Sequence, residues 1–160
     1  MPPRLTFEYN PLSCAYPDDE SDKDLFLQVS NTSPSPSPHR TVLLYWVNTV
    51  FDDGEEVWQV VRLHRHEDDG AHKYVYPDML VVEGASEREH HQTFGLGTFS
   101  RDQREAVLEC ADDVAVAHGD GDGEGQQSAR WMGELLERMV QEGLVARGAV
   151  DVIRDAVPLP

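Results

Sequence analysis

Cysteine and lysine are scarce in this 160-residue chain, with two of each. Cys14 and Cys110 form no paired spacing, which excludes a disulfide framework and a cysteine-based metal motif. Cys110 shares a helical face with Val107, Ala111 and Val114, the setting of a buried structural thiol. Positive charge is equally short: 13 basic residues stand against 30 acidic ones, for a net charge of −17. Such a surface repels phosphate backbones and acidic lipid, so neither nucleic acid nor a membrane is expected as a partner. No apolar run approaches the roughly 18 residues that a spanning helix needs. The start of the chain lacks the apolar stretch of a secretion signal, so the expected location is cytoplasmic. There is no P-loop, no dinucleotide glycine fingerprint and no nucleophile elbow, and no cofactor is expected.

The residues that are present, 39% of them hydrophobic, suffice for one core, and residues 1–160 read as a single domain. Leu5, Phe7 and Tyr9 alternate with polar neighbours, the period-two pattern of a strand. An acidic, turn-rich stretch from Tyr16 to Asp22 follows, and Leu25, Leu27 and Val29 mark a second short strand. The Ser/Pro repeat in residues 31–40 lacks the N–H donors a sheet interior requires and reads as an exposed loop. From Thr41 the pattern is that of an antiparallel meander. Thr41–Val50 is a strand, Asp52, Asp53 and Gly54 make a turn, and Val57–His66 returns. Asp68, Asp69 and Gly70 repeat the turn chemistry before His72–Tyr76. Met79–Val82 resumes after Pro77, and His91–Phe99 closes the series, with Gly95 and Gly97 permitting a bulge.

The period then changes to that of helices. Ser100 and Gln103 have the spacing of a capping box for a helix to about Ala117. An acidic Gly-rich loop occupies 118–127. A second helix starts near Ser128, an apt N-cap, and carries Trp131, Met132, Leu135, Leu136, Met139 and Val140 on one face. Gly143 suits the position that ends it, and Ala149, Val152 and Ile153 suggest a last helical turn. Strands first and helices last define an α+β class: an antiparallel β-meander followed by two or three C-terminal helices packed on one face.

Titratable residues are densest from His64 to His72. On a strand, His64 and His66 project from the same face about 7 Å apart. They could share a metal with Asp68, Asp69 or His72, act as acid/base groups, or simply be solvated at a strand end. The spacing resembles the opening of a cupin motif without its glutamate, and no metal is assigned. His90 and His91 form a second pair, of which strand geometry lets one, His91, enter a site. Asp120, Asp122 and Glu124 resemble half of a calcium loop, but Trp131 stands where its bidentate glutamate belongs.

Tyr45, Trp46 and Val47, then Gly97, Thr98 and Phe99, then Trp131 through Leu144 together resemble a group of small proteins common in fungi. In those sequences a cysteine often precedes the tryptophan of the late helix. That layout is similar to permuted papain-like enzymes of the lecithin:retinol acyltransferase type. There a histidine on a strand pairs with a cysteine at a helix N-terminus, whose dipole lowers the thiol pKa. Here the cysteine is absent: Gln127, Ser128 and Ala129 occupy the position.

Two functions are therefore expected in order. The first is a small-molecule- or peptide-binding or interaction domain on a degenerate papain-like scaffold, its ligand met by Tyr45, Trp46, Trp58, Tyr76, Ser128 and Trp131. The second is a fungal secondary-metabolism enzyme, an isomerase or cyclase, with His64, His66 or His91 transferring protons and binding doing most of the work.

Overall fold

The computed structural model describes residues 6–7, 10–29, 42–65, 72–117 and 127–157. The loop expected at 31–40, residues 118–126 of the loop expected at 118–127, the turn at Asp68–Gly70 and His66 lie outside the described residues, as do the side chains of His64, His90 and Ser128; Gln127, the last residue of that expected loop, is helical instead.

The main sheet is built from β2 (Lys23–Val29), β3 (Val42–Val50), β4 (Glu55–Val61), β7 (Asp78–Glu83) and β8 (Gln92–Phe99). All pairings are antiparallel, in the order β7-β4-β3-β2-β8. Gly54, with φ of +91°, closes the β3–β4 hairpin in the left-handed conformation that glycine adopts at little cost. β8 carries the expected bulge: Leu25 pairs with Gly97 and Phe26 with Gly95, leaving Leu96 as the extra residue. A second, three-stranded sheet is made by β1 (Thr6–Phe7), β6 (His72–Tyr76) and β5 (Leu63–Arg65). The single strand expected over Val57–His66 is thus two strands, broken at Arg62, where the chain leaves the main sheet. Arg62 is held there by its ion pair with Asp78 at 2.9 Å.

Helices α3 (Arg101–Ala117), α4 (Gln127–Gln141) and α5 (Arg147–Ala156) follow the strands. The capping box forms as read: Ser100 N–H donates to Gln103 Oε1 at 2.8 Å, and Gln103 N–H donates to Ser100 Oγ at 3.3 Å. α4 ends in a Schellman turn. Gly143 has φ of +74°, Leu144 N–H reaches Met139 O at 2.9 Å, and Gly143 N–H reaches Val140 O at 3.0 Å. Because α4 begins at Gln127, Ser128 lies inside its first turn rather than at the cap.

Period-two alternation divides the main sheet into two buried faces. Leu25, Leu27, Val29, Val42, Leu44, Trp46 and Val61 meet Trp131, Met132, Leu135, Leu136 and Met139 of α4 in the principal core. Val107, Cys110, Ala111 and Val114 of α3 complete it, so Cys110 is buried as expected. On the other face Leu43, Tyr45, Trp58 and Val60 form a separate cluster with Phe26, Val47, Leu80 and Val82.

Two short helices were not legible in the residue pattern. α1 (Pro11–Ala15) is started by Asn10, whose side chain accepts from Leu12 N–H, and it packs near β7. α2 (Gly84–His90) joins β7 to β8, the two opposite edges of the sheet, and contacts both. His90 and His91 are therefore not successive strand residues. His90 ends α2, and His91 follows it in extended backbone, φ −130° and ψ 157°.

Candidate ligand-binding face

The aromatic residues singled out from the sequence do not gather in one place. Trp46 and Trp131 are wholly buried in the helix-side core, where large rings bring apolar area. Tyr45 and Trp58 lie on the opposite face, their rings stacked with centroids 3.7 Å apart and planes 5° apart. Phe26 stacks on the far side of Tyr45 at 5.2 Å, and the Arg88 guanidinium of α2 sits 6.0 Å from the centre of the Trp58 ring. The result is a row of three rings and one cation across β2, β3, β4 and α2. Tyr76 belongs elsewhere, in a cleft of about 210 Å³ with Ser13, Asp18, Arg101 and Glu105. Its charges are spent internally: Asp18 pairs with Arg104 and Lys23, and Arg101 with Glu20 and Glu105. Burial pushes the Asp18 carboxyl up, but the hydrogen bonds from Arg104 and Lys23 outweigh it and hold the group below its ordinary value.

Charge on the stacked face is also balanced in place. Glu56, with a side chain 8% exposed, accepts from Trp58 Nε1 at 3.0 Å and from Arg88 at 2.5 Å. A Cβ on Gly84 would fall onto that carboxylate, so a larger residue at the start of α2 would displace the Glu56 side-chain end from Trp58 and Arg88. Burial raises the Tyr45 phenol above its ordinary value, with Arg88 pulling against it. Arg88 is near enough to act on the hydroxyl, yet no hydrogen bond of good geometry joins them, and Tyr45 Oη has no partner.

Gln28 separates this face from an ordinary packed surface. Among the described residues five polar or charged side chains are buried: Gln28, Glu56, Gln59, Asp78 and Arg104. Four have their polar groups engaged. Glu56 binds Trp58 and Arg88, Gln59 accepts from Asn48, Asp78 accepts from Arg62, and Arg104 donates to Asp18, Asp19 O and Phe99 O. Gln28, 5% exposed, leaves Oε1 without any partner. Its cross-strand neighbour Thr93 has a buried Oγ1 in the same condition. Trp46, Tyr74 and Trp131 also carry unpaired polar tips, but the area of a large ring accounts for their burial. A carboxamide and a hydroxyl bring little apolar area, and an unmet buried acceptor costs about 1–3 kcal/mol.

Register places these groups together. Gln28 pairs with Leu43 and Thr93, and Phe26 pairs with Tyr45, so Gln28, Thr93 and Tyr45 share a face. His91, extended and two residues before Thr93, falls on that same face. Its Nε2 lies 3.1 Å from Glu87 Oε2, and its Nδ1 is buried without a partner. Either ring orientation leaves one nitrogen unpaired. His64 sits on β5, which contacts α4, the helix that carries Ser128. Among the described residues no group of three potential metal ligands occurs, and no helix is long and apolar enough to cross a membrane.

The residues missed from the sequence are Phe26, Gln28, Glu56, Arg88 and Thr93. A signal was present for Gln28: Leu25–Val29 and Val42–Val47 are nearly continuous apolar runs, the mark of strands buried on both faces. A glutamine within such a run needs a reason. Comparison of the chain with family models, with curated proteins and with solved structures finds no match in any of the three.

Proposed function

We propose that the protein is a small-molecule-binding domain whose site is the sheet face crossed by α2, with Gln28, Thr93, Tyr45 and His91 as its polar contacts. The unpaired, buried Oε1 of Gln28 carries this reading. A buried acceptor that the fold leaves unmet calls for a partner from outside the chain, an ordered water or a bound molecule, and we read it here as a bound molecule. The stacked Phe26–Tyr45–Trp58 row supplies a rigid wall, and α2 covers the face, a setting suited to a small ligand rather than a peptide. The scaffold reading remains that of a papain-like layout without its thiol, resting on the sequence resemblance alone. The test is mass-spectrometric retention from a small-molecule extract, comparing the wild-type protein with Gln28→Met. Compounds held by the wild type and released by the variant support the site; identical retention by both refutes it.

One observation favours a second reading, an isomerase or cyclase. Glu87 and His91 form an oriented carboxylate–histidine pair with one ring nitrogen directed away from the carboxylate and buried. A general acid/base needs such a nitrogen. Conversion of a retained compound by the wild type, lost in His91→Gln while retention persists, would establish it. Retention without conversion would leave binding as the function.

A further inference from the structure

We infer that this face selects an uncharged ligand bearing a carboxamide or lactam group. The inference rests on the reading of the face around Gln28 as the binding site and adds what that site discriminates.

Complementarity comes first. Gln28 offers an unmet acceptor, Thr93 a hydroxyl that donates or accepts, and Tyr45 a hydroxyl that donates. The ligand must bring an N–H donor to Gln28 Oε1 and an acceptor to the hydroxyls. A carboxamide carries both in one plane.

Charge decides the rest. Among the described residues, the buried carboxylates beside the aromatic row are each engaged by an arginine: Glu56 by Arg88 and Asp78 by Arg62. Burial keeps the Tyr45 phenol in its neutral form. A carboxylate or ammonium placed against Gln28 would leave water for neutral partners, Gln28, Thr93 and Tyr45 among the described residues, and its desolvation would exceed what neutral hydrogen bonds return. The net charge of −17 further repels anions as they approach.

The test uses three fragments of one shape, benzamide, benzoate and benzylammonium, titrated by saturation-transfer NMR. Wild type, Gln28→Met, Gln28→Glu and Thr93→Val are compared, each first verified as folded by circular dichroism. Benzamide should bind the wild type about tenfold more tightly than either ion, and Gln28→Met should weaken it about tenfold, the effect of one buried hydrogen bond. Gln28→Glu should turn the preference to benzylammonium. If an ion binds the wild type as well as benzamide does, and Gln28→Met abolishes that binding, the ligand class is wrong and the site stands. If no fragment binds, or binding ignores Gln28→Met, both the class and the site are overturned. Should the Gln28 variants fail to fold, Thr93→Val carries the same comparison with the same outcomes.

Discussion

Replacing Gln28 with methionine should stabilise the protein in the absence of any ligand. The two side chains are unbranched and of similar length, so the substitution keeps shape and removes polarity. Gln28 is 5% exposed, and its Oε1 meets no donor. An unmet buried acceptor costs about 1–3 kcal/mol, and methionine removes that penalty. Against this stand the loss of whatever the amide nitrogen contributes and the imperfect fit of a new tip. The second of these is below about 1.5 kcal/mol for a volume-conserving change. The balance is a gain of about 1 kcal/mol. For a domain of 160 residues that raises the melting temperature by about 2–4 °C. Thermal and urea unfolding followed by circular dichroism measure it directly, and an unchanged m-value would confine the effect to stability. Destabilisation by more than about 1 kcal/mol would show that the carboxamide holds the fold together, and the ligand argument built on it would fall. The wild type alone should then recover the difference when a ligand is added, because binding stabilises only a protein that retains its site.

The remaining predictions concern the frame around the site. Arg88→Met removes the cation from the Trp58 ring and leaves the Glu56 carboxylate with Trp58 Nε1 as its described donor. Because the Arg88 side chain is 42% exposed, the cost is discounted to about 1–2 kcal/mol. Acrylamide should quench Trp58 more readily as α2 loosens; unchanged quenching would mean that α2 does not depend on this pair. Asp18→Asn deprives the fully buried Arg104 of its carboxylate and should cost about 2–3 kcal/mol at neutral pH. The Asp18 carboxyl is held below its ordinary value, so its stabilisation is complete above the unfolded pKa near 4 and is lost as pH falls through the lower folded value. The variant should therefore show a shallower loss of stability on the acid side, and parallel acid unfolding curves would contradict the assignment.

The fold was legible where each residue's environment is set by its near neighbours. The hairpin at Gly54, the bulge at Gly95 and Gly97, the Ser100–Gln103 box and the Gly143 terminus all depend on local backbone geometry. The strand from Val57 could not be ended at Arg62 from its pattern, because the partner Arg62 meets at the break, Asp78, lies sixteen residues later in the chain. α2 escaped for a similar reason. Gly84–His90 has no apolar stripe of its own, and it is positioned by connecting opposite sheet edges and by one arginine on Trp58. The candidate site was legible only in part. Aromatic residues were recognised, but their division between the two faces follows from register, and Tyr45 and Trp46 necessarily part company as successive strand residues.

Gln28 and Gln59 provide an internal comparison that sharpens the argument. Both sit on interior strands, Gln28 one residue from the end of β2, both are 5% exposed, and both interrupt runs of apolar residues. They differ in what surrounds them. Gln59 faces the helix side, where the irregularity between Val47 and Thr49 brings Asn48 within reach, and its Oε1 accepts from Asn48 Nδ2 at 3.2 Å. Asn48 in turn meets Lys23 and the carbonyl of Tyr16, so Gln59 belongs to a closed network. Gln28 faces the aromatic row, and its Oε1 has no partner. The same glutamine-to-methionine change should therefore have opposite signs at the two positions. Gln59→Met breaks a made bond and should cost about 1 kcal/mol, while Gln28→Met removes an unmade one and should gain about as much. The difference of about 2 kcal/mol between two chemically identical substitutions cancels any general effect of methionine in a strand. Equal losses at both sites would mean that Gln28 is a structural residue like Gln59, and that the stacked face is simply a second core.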